Sequence, residues 1–312
     1  MSAFDLKDAP VHRYQHLDWD SRRWDGFESR PGDIYICTCY KSGTTWMQVI
    51  AALLVFQGTD FPGPLNEISP WLDLVTDTRE ALHSRMARQA HRRILKTHTA
   101  LDGLRWFPDA RYLYVARDPR DVFVSMMNHQ ANTDVETERA LAAEMGQSVT
   151  VTDLLANDIE KALAEWLSRG FFDWERDGYP YWSVFHHGET FWQHRQQDNI
   201  LMLHYSQLKS DLGGQMRRIS RFLDVDVDES LFPSLVKAAT FESMKSKADQ
   251  LVPDADSGMW KSNRKFFNQG VNGQWRAVFS EANIERLDRL CKSYPADFMA
   301  WLFNPPGVAG HV

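Results

Sequence analysis

Four short apolar runs, unbroken rather than alternating, constrain this chain most: "DIYIC" (33–37), "RRILK" (92–96), "RYLYVA" (111–116) and "NILMLHY" (199–205). A strand with one wet face alternates apolar and polar residues, whereas a strand covered on both faces reads as a continuous apolar run. Helical patterns lie between and after these runs. Trp46 to Phe56 is apolar almost all round. From Asp153 to Arg169, Leu154, Leu155, Ile159, Leu163, Trp166 and Leu167 fall at helical spacing, and Gly170 follows as the expected C-cap. Residues 215–223 and 281–292 read as further helices. Strands alternating with helices imply an α/β fold with a mostly parallel central sheet flanked by helices. Residues 59–71 and 131–150 are expected as loops or short helices, and 245–275, polar and basic without a clear period, as a mobile flap. No repeat or linker divides residues 1–312, so a single domain is expected.

The formal net charge of −7 sets the surface as a whole against nucleic acid. Any anion site must therefore be a local cluster of cations. Cys37, Cys39 and Cys291 form neither a zinc pattern nor a disulfide framework, which suits a reducing compartment. The polar N-terminus is unlike a signal peptide, and the longest apolar run, "VIAALLVF", is too short to cross a bilayer. A cytoplasmic protein without membrane insertion is expected.

A first candidate anion site stands in "CTCYKSGTTWMQVI" (37–50). A strand ends near Cys37 and a helix begins near Thr44. A helix N-terminus offers free backbone N–H groups and the positive end of the helix dipole. Gly43 lets the backbone curl, Ser42, Thr44 and Thr45 bring hydroxyls, and Lys41 brings a full charge. Together they form a cradle for a phosphate-like anion. The glycine ahead of the lysine in a Walker A loop is missing, which disfavours a nucleoside triphosphate with Mg²⁺. A capped helix with an incidental lysine is the alternative.

A second element lies in "YVARDPRDVFVSMMNH" (114–129). Asp118 reads as an N-cap, Pro119 as the first helical residue and Asp121 as a capping-box partner. Arg117 then falls at a strand's C-terminal end, where open α/β sheets bind ligands. Ser125 follows on the helix. A guanidinium fork and a hydroxyl can hold a second phosphate. Two separated anion elements imply a ligand with two separated phosphate-like groups.

These stretches resemble the cytosolic-type sulfotransferase family, and the likeness runs in order from about residue 30 to 285. "YKSGTTW" resembles its loop for the 5′-phosphosulfate of 3′-phosphoadenosine 5′-phosphosulfate (PAPS), and "YVARDPRDVFVS" its element for the 3′-phosphate. "KTH" (96–98) resembles the strand end bearing its catalytic histidine. "HYSQLKSD" (204–211), "TFESM" (240–244) and "GVNGQW" (270–275) resemble further motifs of the nucleotide site. The resemblance implies a P-loop-like nucleotide-binding core and PAPS as sulfuryl donor, with no metal. It implies that Lys41 to Thr45 hold the 5′ group, that Trp46 and Phe241 flank the adenine, and that Arg117 and Ser125 hold the 3′-phosphate. Tyr205 and Thr240 complete the pocket, with Asn268, Gln269 and Gly270 in the late motif.

Two departures stand out. Tyr40 replaces the proline usual before the loop lysine, which alters loop stiffness. Asn268 and Gln269 replace a basic pair, and neutral donors hold phosphate more weakly than charged ones. Looser PAPS binding is expected unless Arg264 and Lys265, four residues upstream, substitute.

The implied reaction moves a sulfuryl group to a hydroxyl or amine by in-line displacement, so positioning and charge stabilisation dominate. Lys41 meets charge on the leaving oxygen, Lys96 steadies the transferring oxygens, and His98 takes the acceptor's proton. The aromatic-rich segment 166–192, with Trp71 and Trp106, is expected to contribute to an apolar pocket for a small acceptor. The stretch "WRAVFSEANIE" (275–285) loosely resembles a dimer motif, which leaves a homodimer open. The alternatives are an ATP-dependent kinase, a catalytically weakened nucleotide-binding relative, and a relative that works through a transient sulfate ester.

Overall fold

The structure is a computed structural model that describes residues 4–253, 255–267 and 269–308. Its sheet has four parallel strands in the order β2-β1-β3-β4, with β1 at Ile34–Thr38, β2 at Ile94–Thr97, β3 at Arg111–Ala116 and β4 at Ile200–His204. All four coincide with the apolar runs to within two residues at either end.

The unbroken runs have the cause that their pattern implies. Tyr35 and Cys37 of β1, with Tyr112 and Tyr114 of β3, point into an aromatic-rich core with Trp19, Trp24, Phe185 and Phe298. Ile34, Ile36, Leu113 and Val115 point the other way, against Met47, Ile50 and Leu54 of helix α1, Thr44–Phe56. Because α1 lies between the sheet and further helices, Met47 to Leu54 are all buried. Truncating such a leucine or isoleucine to alanine costs about 2–5 kcal/mol.

The strand order puts the switch point between β1 and β3. The chain leaves β1 toward β2 on one side and returns to β3 on the other, opening a crevice at the strands' C-terminal ends. Helix α2, Pro119–Asn132, begins there after β3, with Asp118 as its N-cap accepting from the Arg120 amide at 2.9 Å.

Some local expectations are corrected. Residues 153–169 are not one helix: a turn at Val151–Leu154 is followed by a break and a helix at Ile159–Trp166. Asp158 opens the second piece by accepting from the Lys161 amide at 2.8 Å, so a capping side chain outcompetes helix continuation. Gly170 is no cap, since Leu167 ends that helix. A Cβ at Gly170 would stand 2.5 Å from the Glu175 carbonyl oxygen, so close backbone approach explains the glycine. Within 245–275, Met259 and Lys261 hydrogen-bond through their backbones to Asp134 and Asn132, each at 2.8 Å. In the stretch resembling a dimer motif, Trp275 lies under the Arg120 guanidinium at 3.8 Å and Phe279 is buried against Phe123.

Candidate active site

The loop after β1 is bent by two left-handed residues, Lys41 with φ 55° and Gly43 with φ 105°. Positive φ is uncommon for lysine, and such strain gathers at functional sites. Gly43 caps α1 without a side chain, so the amides of Thr44, Thr45 and Trp46 meet no acceptor among the described residues. A Cβ at Gly43 would come within 3.0 Å of the Tyr205 ring. Tyr40 anchors the loop in place of a proline. Its hydroxyl accepts from the Trp166 indole at 2.8 Å, and its ring packs on Tyr181 and Trp182.

The hydroxyls divide their work. Ser42 is buried and donates to the Tyr40 carbonyl, while the Thr44 hydroxyl pairs with that of Thr38 at 2.7 Å. Both brace the loop through their side chains. The Thr45 hydroxyl meets no partner among the described residues.

Cations from three strand ends converge here. Lys41 is half-buried, and its pKa falls from 10.5 to about 7 through burial, then through repulsion by Arg117 and Lys96. Its Nζ donates to His129 Nδ1 at 3.0 Å and lies 4.7 Å from the centre of the Phe266 ring. Burial and the charges of Lys41 and Lys96 push His129 well below the usual histidine range, so its ring is neutral. Arg117 is buried and donates to the carbonyls of Lys41 at 3.1 Å and Val271 at 3.4 Å. Its guanidinium covers the Tyr205 ring at 4.4 Å, and its Nε is buried without an acceptor among the described residues. Neither Lys41 nor Arg117 has a carboxylate at salt-bridge distance among those residues. This geometry suits an anionic ligand.

His98 follows β2. Its Nδ1 lies 2.7 Å from the Thr38 carbonyl, which can only accept, so Nδ1 carries the proton and Nε2 keeps the lone pair. Burial and the Lys96 charge push its pKa well below the usual range. The ring meets Trp71 edge-on at 4.8 Å, and Lys96 Nζ lies 4.4 Å from the centre of that same indole. Buried Asp73 holds the corner together. It accepts from the His98 amide at 3.0 Å, the Thr97 hydroxyl at 2.7 Å and the indoles of Trp71 and Trp24.

A rim of aromatics and glycines extends from the loop. Trp46, half-buried, donates to the Ala239 carbonyl at 2.8 Å and meets Tyr205 edge-on. Thr240 caps helix α3, Phe241–Ser246, by accepting from the Ser243 amide. Gly270 has φ 63°, and a Cβ there would stand 2.4 Å from the Phe241 ring. Ser125 lies half-buried on α2, one turn before His129. Gln269 is exposed, and Asn268 lies outside the described residues. Arg264 and Lys265 are exposed on the single turn Asn263–Phe266.

Next to His129, the partner of Lys41, a cavity of about 170 Å³ has a mixed lining that includes Asp18, Gln130, Glu138 and Thr150 as well as Leu141, Met145, Val151 and Trp260. Of the aromatics in segment 166–192, Tyr181 alone is in its lining. Trp166, Trp182, Phe185 and Phe191 belong to the core. Trp106 stacks on Tyr112 at the N-terminal half of β3, at the end of the sheet away from His98, so it is not a pocket residue.

Sequence reasoning missed His129, Lys209 and Asp73. His129 follows Ser125, and Lys209 follows Tyr205, by four residues, and i,i+4 spacing on a helix would have revealed both. Asp73 carries no local signal. Asp121 was expected to serve its own helix. Instead it is buried and accepts from the Gly273 amide at 2.8 Å, tying α2 to the late loop.

The family model described as "Sulfotransferase domain" matches residues 31–299. The chain is 34% identical to a glycolipid sulfotransferase of Mycobacterium bovis, over 92% of this chain and 93% of that one. It is 28% identical to an amine sulfotransferase of Oryctolagus cuniculus, over 92% and 89%. Among solved structures it resembles mouse sulfotransferase SULT7A1 complexed with PAP, with a TM-score of 0.67 at 21% identity over 90% and 91% of the two chains. Retinol dehydratase in complex with androsterone and inactive cofactor PAP gives a TM-score of 0.63 at 20% identity over 87% and 82%. At these identities the structural likeness speaks to the fold.

Proposed function

The chain belongs to the sulfotransferase domain family, and on that premise we propose that it moves a sulfuryl group from PAPS to a hydroxyl of a small amphipathic acceptor. One observation carries this reading: Lys41, Lys96 and Arg117, from the ends of β1, β2 and β3, converge at the switch point, and neither Lys41 nor Arg117 meets a carboxylate among the described residues. The residues fit the donor. The buried Nε of Arg117, without an acceptor among the described residues, suits a phosphate oxygen, and the glycines at 43 and 270 let the rings of Tyr205 and Phe241 pack close against the two loops. The solved neighbours named with PAP accord with such a ligand.

The α1 amides, Lys41 and Thr45 would hold the 5′ group, with Ser42 and Thr44 bracing the loop. Arg117 and Ser125 would hold the 3′-phosphate beside Tyr205. Half-buried Trp46 and Phe241 would flank the adenine, with Thr240 fixing the helix that carries Phe241. Bound there, PAPS supplies the sulfuryl group and the leaving nucleotide.

The protein's own part is electrostatic and positional. Neutral His98, with its lone pair fixed on Nε2, takes the acceptor's proton. Protonated Lys41 supplies charge where the leaving oxygen becomes negative, and Lys96 adds a second charge beside it. Asp73 holds the strand end that presents His98.

The cavity next to His129 supports the acceptor side. Its polar lining residues Asp18, Gln130, Thr133 and Glu138 suit hydroxyl groups, and its apolar ones suit a hydrocarbon body. A glycolipid headgroup, as in the name of the mycobacterial relative, offers more hydroxyl groups to this mixed lining than a simple phenol does. The test is product analysis with PAPS and a panel of one glycolipid, one simple phenol and one alkylamine. Sulfated glycolipid as the main product is expected. Preference for the phenol or the amine overturns the acceptor assignment, and no sulfated product from any of the three counts against the proposal as a whole.

A further inference from the structure

Among the described residues, four side chains hold the late loop. Arg117 donates to the Val271 carbonyl at 3.4 Å, and Lys209 Nζ donates to the Gly270 carbonyl. Asn272 donates to the Ser206 hydroxyl at 3.1 Å, and Asp121 accepts from the Gly273 amide. Two of these anchors are cations bound to adjacent peptide carbonyls, neutral acceptors that leave both positive charges uncompensated. No carboxylate lies at salt-bridge distance from either among the described residues.

Lys209 belongs to helix Tyr205–Ser210, one turn after the tyrosine whose ring lies under Arg117. Partial shielding of its ammonium and then the Arg117 charge lower its pKa, so the two cations share one neighbourhood. Arg117 also keeps a buried Nε without an acceptor among the described residues. Lys209 itself is exposed, so its flexible stem can turn the ammonium from a carbonyl to a better acceptor. The side chains at positions 268 and 269 of this loop, asparagine and glutamine, are neutral.

We propose that Lys209 is a direct ligand of the donor's 3′-phosphate, joining Arg117 and Ser125 and supplying the charge that Asn268 and Gln269 do not. This inference rests on the reading that a 3′-phosphorylated adenosine nucleotide binds here. It makes Lys209 a specificity determinant: it separates nucleotides with a 3′-phosphate from those without one, and leaves the 5′ site alone. A charge contact of this kind also steepens the salt dependence of binding.

The test is calorimetric titration of wild type, Lys209→Met and Lys209→Arg with adenosine 3′,5′-bisphosphate and with adenosine 5′-monophosphate, at low and moderate salt. Lys209→Met should weaken the bisphosphate about 10- to 100-fold, the range for loss of a charge-assisted contact, and change the monophosphate less than about twofold. Lys209→Arg should recover most of the loss, and the salt dependence should flatten only for the bisphosphate in Lys209→Met. Equal weakening of both nucleotides would mean that Lys209 only holds the loop, and no weakening of either would remove it from the site. Both results overturn the inference while leaving the donor reading intact. A wild type that binds the two nucleotides equally faults the donor reading itself, and this inference with it.

Discussion

The charge state of Lys41 gives a quantitative handle on the donor site. Burial and two neighbouring cations lower its pKa from 10.5 to about 7, so at pH 7 the free protein carries it about half protonated. A polyanion on this lysine reverses both causes and restores the full charge. Binding must then take up protons: about a tenth of a proton at pH 6, half at pH 7 and nine-tenths at pH 8, because the free protein binds fewer protons as pH rises. The sign is fixed by the depressed pKa: uptake grows with pH. The point at pH 8 is decisive. Phosphate groups, with a second pKa near 6, are already ionised there and release little. His129, held well below the usual histidine range, stays neutral at that pH. The assay is titration with adenosine 3′,5′-bisphosphate in buffers of different ionisation enthalpy, whose slope counts protons. Lys41→Arg, always charged, should take up clearly fewer protons than the wild type at pH 8. Binding to wild type at pH 8 without proton uptake, or with release, refutes the argument.

Replacing His98 by alanine should lower turnover about 10²- to 10⁴-fold, the usual worth of a general base, while nucleotide affinity stays within about twofold. Because burial and the Lys96 charge lower the His98 pKa in the free protein, kcat/KM for PAPS should show no acid limb near the ordinary histidine value; such a limb would mean that another group is the base. Gly270→Ala brings a Cβ to 2.4 Å from the Phe241 ring at φ 63°, so calorimetry should find nucleotide affinity reduced at least about 10-fold; an unchanged affinity would separate this contact from the site. Installing Asn268→Arg should tighten binding of the 3′,5′-bisphosphate, and no change would show that the neutral residues were not limiting.

The fold was legible because the sheet is buried on both faces. Ile34, Tyr35, Ile36 and Cys37 are apolar in succession since two cores claim alternate residues, and that pattern survives in one sequence. Residues 153–169 misled because helical spacing persists across the break, and only the capping preference of Asp158 marks it. That Lys41, Gly43 and Arg117 meet in the candidate site was legible from local chemistry at strand ends. The roles of Ser42 and Thr44 were not, because whether a hydroxyl turns to a ligand or to its own loop depends on which carbonyl or hydroxyl lies nearest. His129 and Lys209 required knowing which helix faces meet across the crevice. Asp73 and Asp121 act on backbone amides, of residues 98 and 273, that only the tertiary fold brings near.

The central claim is tested most directly by binding at the KSGTT turn. Thermal melting of wild type and Lys41→Ala with adenosine 3′,5′-bisphosphate, and separately with Mg²⁺ and ATP, reads it through mass action. The account predicts that the bisphosphate raises the melting temperature of the wild type, that Mg²⁺ and ATP do so far less, and that Lys41→Ala loses most of the gain. Stabilisation by Mg²⁺ and ATP equal to that by the bisphosphate, or a Lys41→Ala response as large as that of the wild type, would contradict it.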